Sequence, residues 1–209
     1  MLRLTLNKED LEGRQVFFTS DLHFNHFNIC KLCGRPFSSR KEMNNTLINN
    51  WNSVVMDNDI VFILGDFCFD QRTQWIKFLK QLNGKKYLVV GNHDKDSAIP
   101  HEMFENVADI MQVYIYSYTV SNKDNSESKD IYDKFVLNHY CMVAWPGQWN
   151  GFYHLFGHSH TRKNNIGADA TLIDKRPLPS YDVGVDNNNF TPISQKDVVE
   201  ILKQMPQSH

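Results

Sequence analysis

The chain has 209 residues, 41% hydrophobic and 12% aromatic, which is enough to bury the core of one sizeable domain, taken here as 1–209. Its formal net charge of −2 gives no general pull toward nucleic acid or an anionic membrane surface. No apolar run approaches the ~20 residues of a membrane helix, and Met1-Leu2-Arg3-Leu4-Thr5-Leu6 alternates like a strand rather than forming a signal-peptide core, so a cytoplasmic location is expected.

The first strand candidate after that segment is 15–20, Gln-Val-Phe-Phe-Thr-Ser, with Asp21-Leu22-His23 at its exit. Cys30-Lys31-Leu32-Cys33 is a C-x-x-C pair, but no second pair completes a four-thiolate zinc site. With no secretory signal, these thiols and those of Cys68 and Cys141 read as free and reduced. Ser39 followed by Glu42 is a capping box, opening a helix with Met43, Leu47, Trp51 and Val54 or Val55 near one face. Residues 60–64 form a buried strand that ends in Gly65-Asp66. Asp70 is expected to cap a helix carrying Trp75, Ile76, Phe78, Leu79 and Leu82, which Asn83-Gly84 stops.

A further strand, 87–90, runs into Gly91-Asn92-His93-Asp94. In an open α/β sheet, chemistry gathers beyond the carboxyl ends of strands. A glycine there lets the backbone turn sharply and approach a ligand. The three polar side chains offer a neutral oxygen ligand, an imidazole proton and a carboxylate to orient the imidazole.

The pattern then changes. Residues 111–120 and 131–137 read as strands joined by an all-polar, exposed hairpin loop, 121–130. Residues 152–156 lead as a strand into Gly157-His158-Ser159-His160, 161–179 read as an irregular connection, and 181–185 as a last strand. Ser194 with Asp197 caps a helix to about Met205. Alternating units first and strands later predict an α/β fold of two stacked mixed β-sheets flanked by helices.

Strand exits thus deliver Asp21 and His23, Asp66, Asn92-His93-Asp94, His139, then His158 and His160. On extended backbone, residues two apart point to one side, so Asp21 with His23, and His158 with His160, are each expected to face one site. Asp, His and Asn donors without thiolates suit Mn²⁺, Fe²⁺ or Zn²⁺. The set is too large for one tetrahedral ion and suits two ions sharing a carboxylate. Paired ions ~3.5–4 Å apart clamp phosphoryl displacement.

D-x-H, G-D, G-N-H-D, a lone His and G-H-x-H, in this order from about Val16 to Asp186, resemble the calcineurin-like metallophosphoesterase superfamily. Asp21-Leu22-His23-Phe24-Asn25-His26, Arg35-Pro36-Phe37 and Val183-Gly184-Val185-Asp186 are similar to its small bacterial and phage members. The resemblance implies an α/β/β/α sandwich and two divalent ions, Mn²⁺ first, with Fe²⁺, Zn²⁺ or Ni²⁺ as alternatives. It implies that Asp21, His23 and His160 hold one ion and Asn92, His139 and His158 the other, with Asp66 bridging. A hydroxide between the ions would attack phosphorus, because two cations lower the pKa of bound water. His93 would protonate the leaving oxygen, with Asp94 orienting it. The chain departs from the pattern at Cys141, where a Pro often follows the lone His, and at Asp182, where an Asn is often found.

Further candidates are His26, Asn25 and Arg35 as substrate-phosphate ligands, against a loop histidine and surface residues. Trp145, Trp149 and Tyr153 are candidates to stack on a nucleobase, against ordinary packing. His154 and His101 read as structural or exposed, and Asp186 as shaping the site without binding metal. The expected activity is hydrolysis of a phosphate mono- or diester of a small, nucleotide-like molecule. The alternatives are a metal-dependent nuclease, which the modest charge disfavours, and a non-catalytic interaction module, which should have lost ligands.

Overall fold

The computed structural model describes residues 1–122, 127–160 and 179–205. Its strands are β1 (Leu2–Leu6), β2 (Val16–Thr19), β3 (Ile60–Ile63), β4 (Lys85–Val89), β5 (Asn106–Ala108), β6 (Ile110–Ser121), β7 (Ser128–Asn138), β8 (Tyr153–Phe156), β9 (Ser180–Asp182) and β10 (Ile193–Ser194). Its α-helices are α1 (Asn28–Leu32), α2 (Arg40–Val54), α3 (Arg72–Leu79) and α4 (Gln195–Lys203). They build two mixed five-stranded sheets, ordered β10-β2-β3-β4-β5 and β1-β6-β7-β8-β9.

The strand sequences dictate this layering. Both faces of β2, β3 and β4 are covered, so they read as continuous apolar runs. Val16, Phe18, Ile60, Phe62, Tyr87 and Val89 point into the core between the sheets. Phe17, Val61, Ile63 and Leu88 point the other way, against Met43, Leu47 and Trp51 of α2 and Trp75, Phe78 and Leu79 of α3. β2, β3 and β4 are mutually parallel, so their carboxyl ends lie on one edge. The loops that follow them carry Asp21, Asp66 and Asn92 to that edge.

Caps decide the helix starts. Ser39 Oγ accepts the Glu42 N–H at 3.1 Å, as the capping box predicts. Ser194 does the same for Asp197 at 3.1 Å. Asp70 does not cap α3. The N-cap is Gln71, and the Asp70 carboxylate instead accepts from Asn25 Nδ2 at 2.9 Å and from the Gln71 N–H at 2.7 Å.

The expected ten-residue hairpin loop is also corrected. β6 and β7 pair as far as Ser121 opposite Ser128, so Ser121 and Ser128–Asp130 of the polar stretch belong to a ladder, with 123–126 outside the described residues. A two-stranded ribbon with both faces in water needs backbone pairing but no apolar side chains. Thr119 Oγ1 donates across it to Asp130 at 2.8 Å. Polarity there reported exposure, not loss of strand. The connection expected over 161–179 lies outside the described residues but for Pro179. No helix among the described residues is long and apolar enough to cross a membrane.

Candidate metal centre

Ordinary strand ends would not gather the ligands; the turns do. Asp21, His23, Asp66, His158 and His160 all have positive φ, between 47° and 66°. Left-handed backbone is uncommon outside glycine, and it persists where surrounding contacts over-determine it. The extended geometry expected for the Asp21/His23 and His158/His160 pairs is therefore replaced by successive tight turns. The overdetermining contacts are hydrogen bonds between the loops. Asp21 N donates to Gly65 O (3.0 Å), His23 N to Asp66 O (2.9 Å) and Phe24 N to Phe67 O (3.0 Å). The His158 N–H reaches the Asp21 carboxylate at 3.0 Å.

Two glycines let these loops touch. A Cβ on Gly91 would overlap Asp66 Oδ1 and stand 2.5 Å from Asp66 N. One on Gly157 would overlap Ser20 Oγ and stand 2.5 Å from Asp21 Oδ2. Gly91→Ala is expected to destabilise the metal-free protein by about 1–3 kcal/mol through overpacking and to weaken metal uptake by pushing Asp66 aside. Urea denaturation with and without metal measures both; a wild-type midpoint would refute the close-approach argument.

The side chains converge in two groups. Asp21, His23 and His160 form one, and Asp66, His139 and His158 the other; within each, the donor atoms lie within 4.8 Å of one another. Asn92 Oδ1 is 2.9 Å from His139 Nε2 and joins the second group. Asp66 Oδ2 lies 3.4 Å from His23 Nε2 and 3.6 Å from His139 Nε2, between the two. Its other oxygen accepts the His93 N–H at 2.9 Å.

The donor set fits cations. His23 Nε2 is buried, with no hydrogen-bond partner among the described residues, beside a carboxylate. His139 donates Nδ1–H to Leu64 O at 2.7 Å and His160 donates Nδ1–H to Asp186 Oδ2 at 2.8 Å, so both turn Nε2 inward, where a cation would take the place of the Nε2 proton that His160 carries without metal. Two donors each about 2.1 Å from one ion stand about 3.0–3.4 Å apart at usual coordination angles; the Asp66 spacings are close to that. Burial pushes the Asp21 pKa up to about 7; His160 opposes the rise, and the Asp182 and Asp66 carboxylates add to it. Such crowded carboxylates call for positive charge. Burial, followed by the positive charge of His160 and Arg35, holds His23 far below its ordinary value, in the neutral form a metal needs.

Behind this set stands a chain that the sequence did not reveal. Arg35 is buried, with Nε 2.9 Å from Asp186 Oδ1 and Nη2 2.7 Å from Asp186 Oδ2. Nη2 also donates to Asp21 O at 2.6 Å and Nη1 to Leu22 O at 3.1 Å. This corrects the expectation that Arg35 meets a phosphate, because its fork is committed inside. Asp186 in turn orients His160. Burial opposes charge on His160, but hydrogen bonds to Asp186 and Cys33 and the nearby carboxylates outweigh it and push its pKa up to about 11. Of the C-x-x-C pair, Cys33 thus touches a ligand, while Cys30 packs on Met43 Sδ at 3.5 Å; both thiols are free.

Asp94 is also corrected. Its carboxylate does not reach the His93 ring. It accepts the backbone N–H groups of Asp66 (2.8 Å), Phe67 (3.0 Å) and Gly91 (2.9 Å). Those donors lie in the turns that follow β3 and β4, and Asp94 satisfies them. Burial nonetheless raises its pKa to about 6.

The His93 ring is exposed at the mouth of the site, 5.4 Å from the His23 ring and 5.4 Å from Phe69. His26 Nδ1 is 3.2 Å from His23 Nδ1, and its ring stacks on Phe69 at 4.2 Å. The Asn25 amide is taken up by Asn44 (2.8 Å) and Asp70 (2.9 Å), so it braces the loop. Asp182 is buried, and its Oδ1 accepts the Gly184 N–H at 2.8 Å. His154 is structural: Nδ1–H donates to Val136 O at 3.0 Å, Nε2 accepts from Met142 N at 3.0 Å, and burial lowers its pKa to about 4. His101 is exposed beside Asp96. Trp145 is core, donating to Phe152 O at 2.7 Å; Trp149 is exposed and Tyr153 half-buried. Two aromatic neighbours were missed, Phe69 beside His93 and Tyr140, whose ring lies 4.8 Å from His158. No spacing in the sequence points to either.

The profile of the calcineurin-like phosphoesterase family matches residues 14–187. An uncharacterized protein of Methanocaldococcus jannaschii is 30% identical over 193 residues, covering 91% of this chain and 93% of that protein. The gene 66 protein of Mycobacterium phage L5 is 33% identical, covering 74% of this chain and 86% of its own length. The crystal structure of a protein of unknown function from Aquifex aeolicus superposes with a TM-score of 0.62 at 23% identity, over 90% of this chain and 99% of that chain. At that identity it speaks to the fold alone.

Proposed function

Because the chain belongs to the calcineurin-like phosphoesterase family, we propose that it is a phosphoesterase dependent on two divalent ions, acting on a mono- or diester of a small, nucleotide-like molecule. Members of this family usually hydrolyse phosphoesters and typically bind two divalent metals. The observation that supports the reading most is Asp66 Oδ2, standing 3.4 Å from a nitrogen of one donor group and 3.6 Å from a nitrogen of the other.

In this reading Asp21, His23 and His160 hold one ion, Asn92, His139 and His158 the other, and Asp66 both. Mn²⁺ is the first candidate for an oxygen- and imidazole-rich set. When bound, the ions supply a water of lowered pKa and positive charge against the phosphoryl oxygens. The chain supplies the rest. The His93 N–H fixes one oxygen of Asp66, leaving the other for the centre. The Arg35–Asp186 pair keeps the Nδ1 proton of His160 in place. The exposed His93 imidazole gives a proton to the leaving oxygen.

The wild type is expected to take up two divalent ions per chain, and Asp66→Asn to lose at least one of them and most activity. Elemental analysis and metal titration, read beside hydrolysis of bis-p-nitrophenyl phosphate, test this. Saturation of the wild type at one ion, or full activity in Asp66→Asn, would sink the bridging role.

A further inference from the structure

We propose that the open cleft beside His93 is a leaving-group subsite for a nucleoside, with the base stacked on Phe69 and a further phosphate at Lys95. This rests on the phosphoesterase reading above. The cleft has a volume of about 490 Å³, and its lining includes Phe69, Gln71, Arg72, His93, Lys95 and Ser97. That is within the ~300–1,000 Å³ usual for small-molecule sites.

Position comes first. A leaving oxygen that receives its proton from His93 must lie against that ring, and the group attached to it then enters this cleft. Phe69 stands at the entrance, 5.4 Å from His93 and nearly edge-on. His26 stacks on one of its faces at 16°, yet Phe69 remains 49% exposed. One face is thus backed by a ring, while about half of the residue remains exposed. A pre-ordered aromatic plate of this kind accepts any base, because every base has a π-face.

Charge narrows the class further. Arg72 is tied to Glu102 through both carboxylate oxygens, at 2.6 and 2.7 Å, and so is not free for phosphate. Lys95 is exposed and has no ion-pair partner among the described residues. Gln71, Ser97 and the Asp70 carboxylate add polar groups to the wall, and Ala98 an apolar one. One aromatic face beside several polar groups suits a heteroaromatic ring with hydrogen-bonding edges; an acyl chain would leave those groups unpaired.

The test compares Phe69→Ala, Phe69→Trp and Lys95→Gln with wild type on two alkoxide-leaving diesters, the dinucleotide adenylyl-adenosine and glycerophosphoethanolamine. Phe69→Ala should cut kcat/KM on the dinucleotide about 5- to 100-fold more than on the glycerol ester, mainly in KM. Phe69→Trp should restore it. With metals chelated, AMP binding measured by calorimetry should weaken in Phe69→Ala and in Lys95→Gln. Equal losses on both esters, or AMP binding indifferent to Phe69, would overturn the subsite. A wild type that cleaves neither these diesters nor p-nitrophenyl phosphate but binds AMP through Phe69 would instead remove the phosphoesterase reading and leave the nucleotide site standing.

Discussion

His93→Ala is expected to lower kcat on an alkyl phosphoester by about 10²–10⁴-fold, equivalent to roughly 3–5.5 kcal/mol of barrier, while both metal ions stay bound. The geometry separates the two effects. The His93 side chain belongs to neither donor group. What His93 gives the metal centre is its backbone N–H on Asp66 Oδ1, and alanine keeps that. The loss should depend on the leaving group. An alkoxide departs poorly without a proton, so alkyl esters suffer most. p-Nitrophenolate departs unaided, so its esters are nearly spared. His139→Ala, by contrast, removes a donor held 3.6 Å from Asp66 Oδ2 and should weaken metal binding and depress both esters alike. The measurement is kcat on each ester for each variant at saturating Mn²⁺, with metal content by elemental analysis. Equal losses on the two esters for His93→Ala, or a lost ion, would take His93 out of the acid role.

Several features were legible because they are local. Val16–Thr19, Ile60–Ile63 and Lys85–Val89 follow from apolar runs buried on both faces, and the polar residues after each run mark the site edge. Donor type does not depend on register, so residue type alone marks all seven candidate ligands. The turns themselves were not legible. Left-handed backbone at Asp21, His23, Asp66, His158 and His160 is imposed by hydrogen bonds between loops, and side-chain identity does not announce it. Asp94 misled because an acid beside a histidine looks like an orienting pair. Its true partners are three N–H groups in turns, two of them 27 and 28 residues back. Ser128–Asp130 misled because polarity marks both loops and exposed ribbons.

The largest omission, Arg35 on Asp186, joins residues 151 apart, which no local pattern reports. Arg35→Leu is expected to cost about 3–5 kcal/mol of stability, because it strands a buried carboxylate. For a chain of this size that is roughly a 6–20 °C fall in Tm. Burial alone would raise the Asp186 pKa; the His160 hydrogen bond and the Arg35 guanidinium outweigh it and bring it down to about 2. A folded pKa below the ordinary 3.8 stabilises the protein above that value, and the gain is lost as pH falls through about 2. His160, raised from 6.5 to about 11, acts in the opposite sense in the metal-free protein. Its contribution is whole below 6.5 and is lost as pH rises through about 11. Without Arg35 the Asp186 pKa rises, so the folded variant takes up a proton as pH falls toward 4, and its deficit against wild type narrows. Urea unfolding of the chelated proteins at pH 4 and pH 7 reads this directly. Arg35→Leu combined with Asp186→Asn removes the stranded charge and should regain much of the loss. It should not regain all of it, since the Asp21 and Leu22 carbonyls still lack their donors. A double variant no more stable than Arg35→Leu alone, or a deficit that does not change with pH, would show that the buried charge is not what Arg35 holds in check.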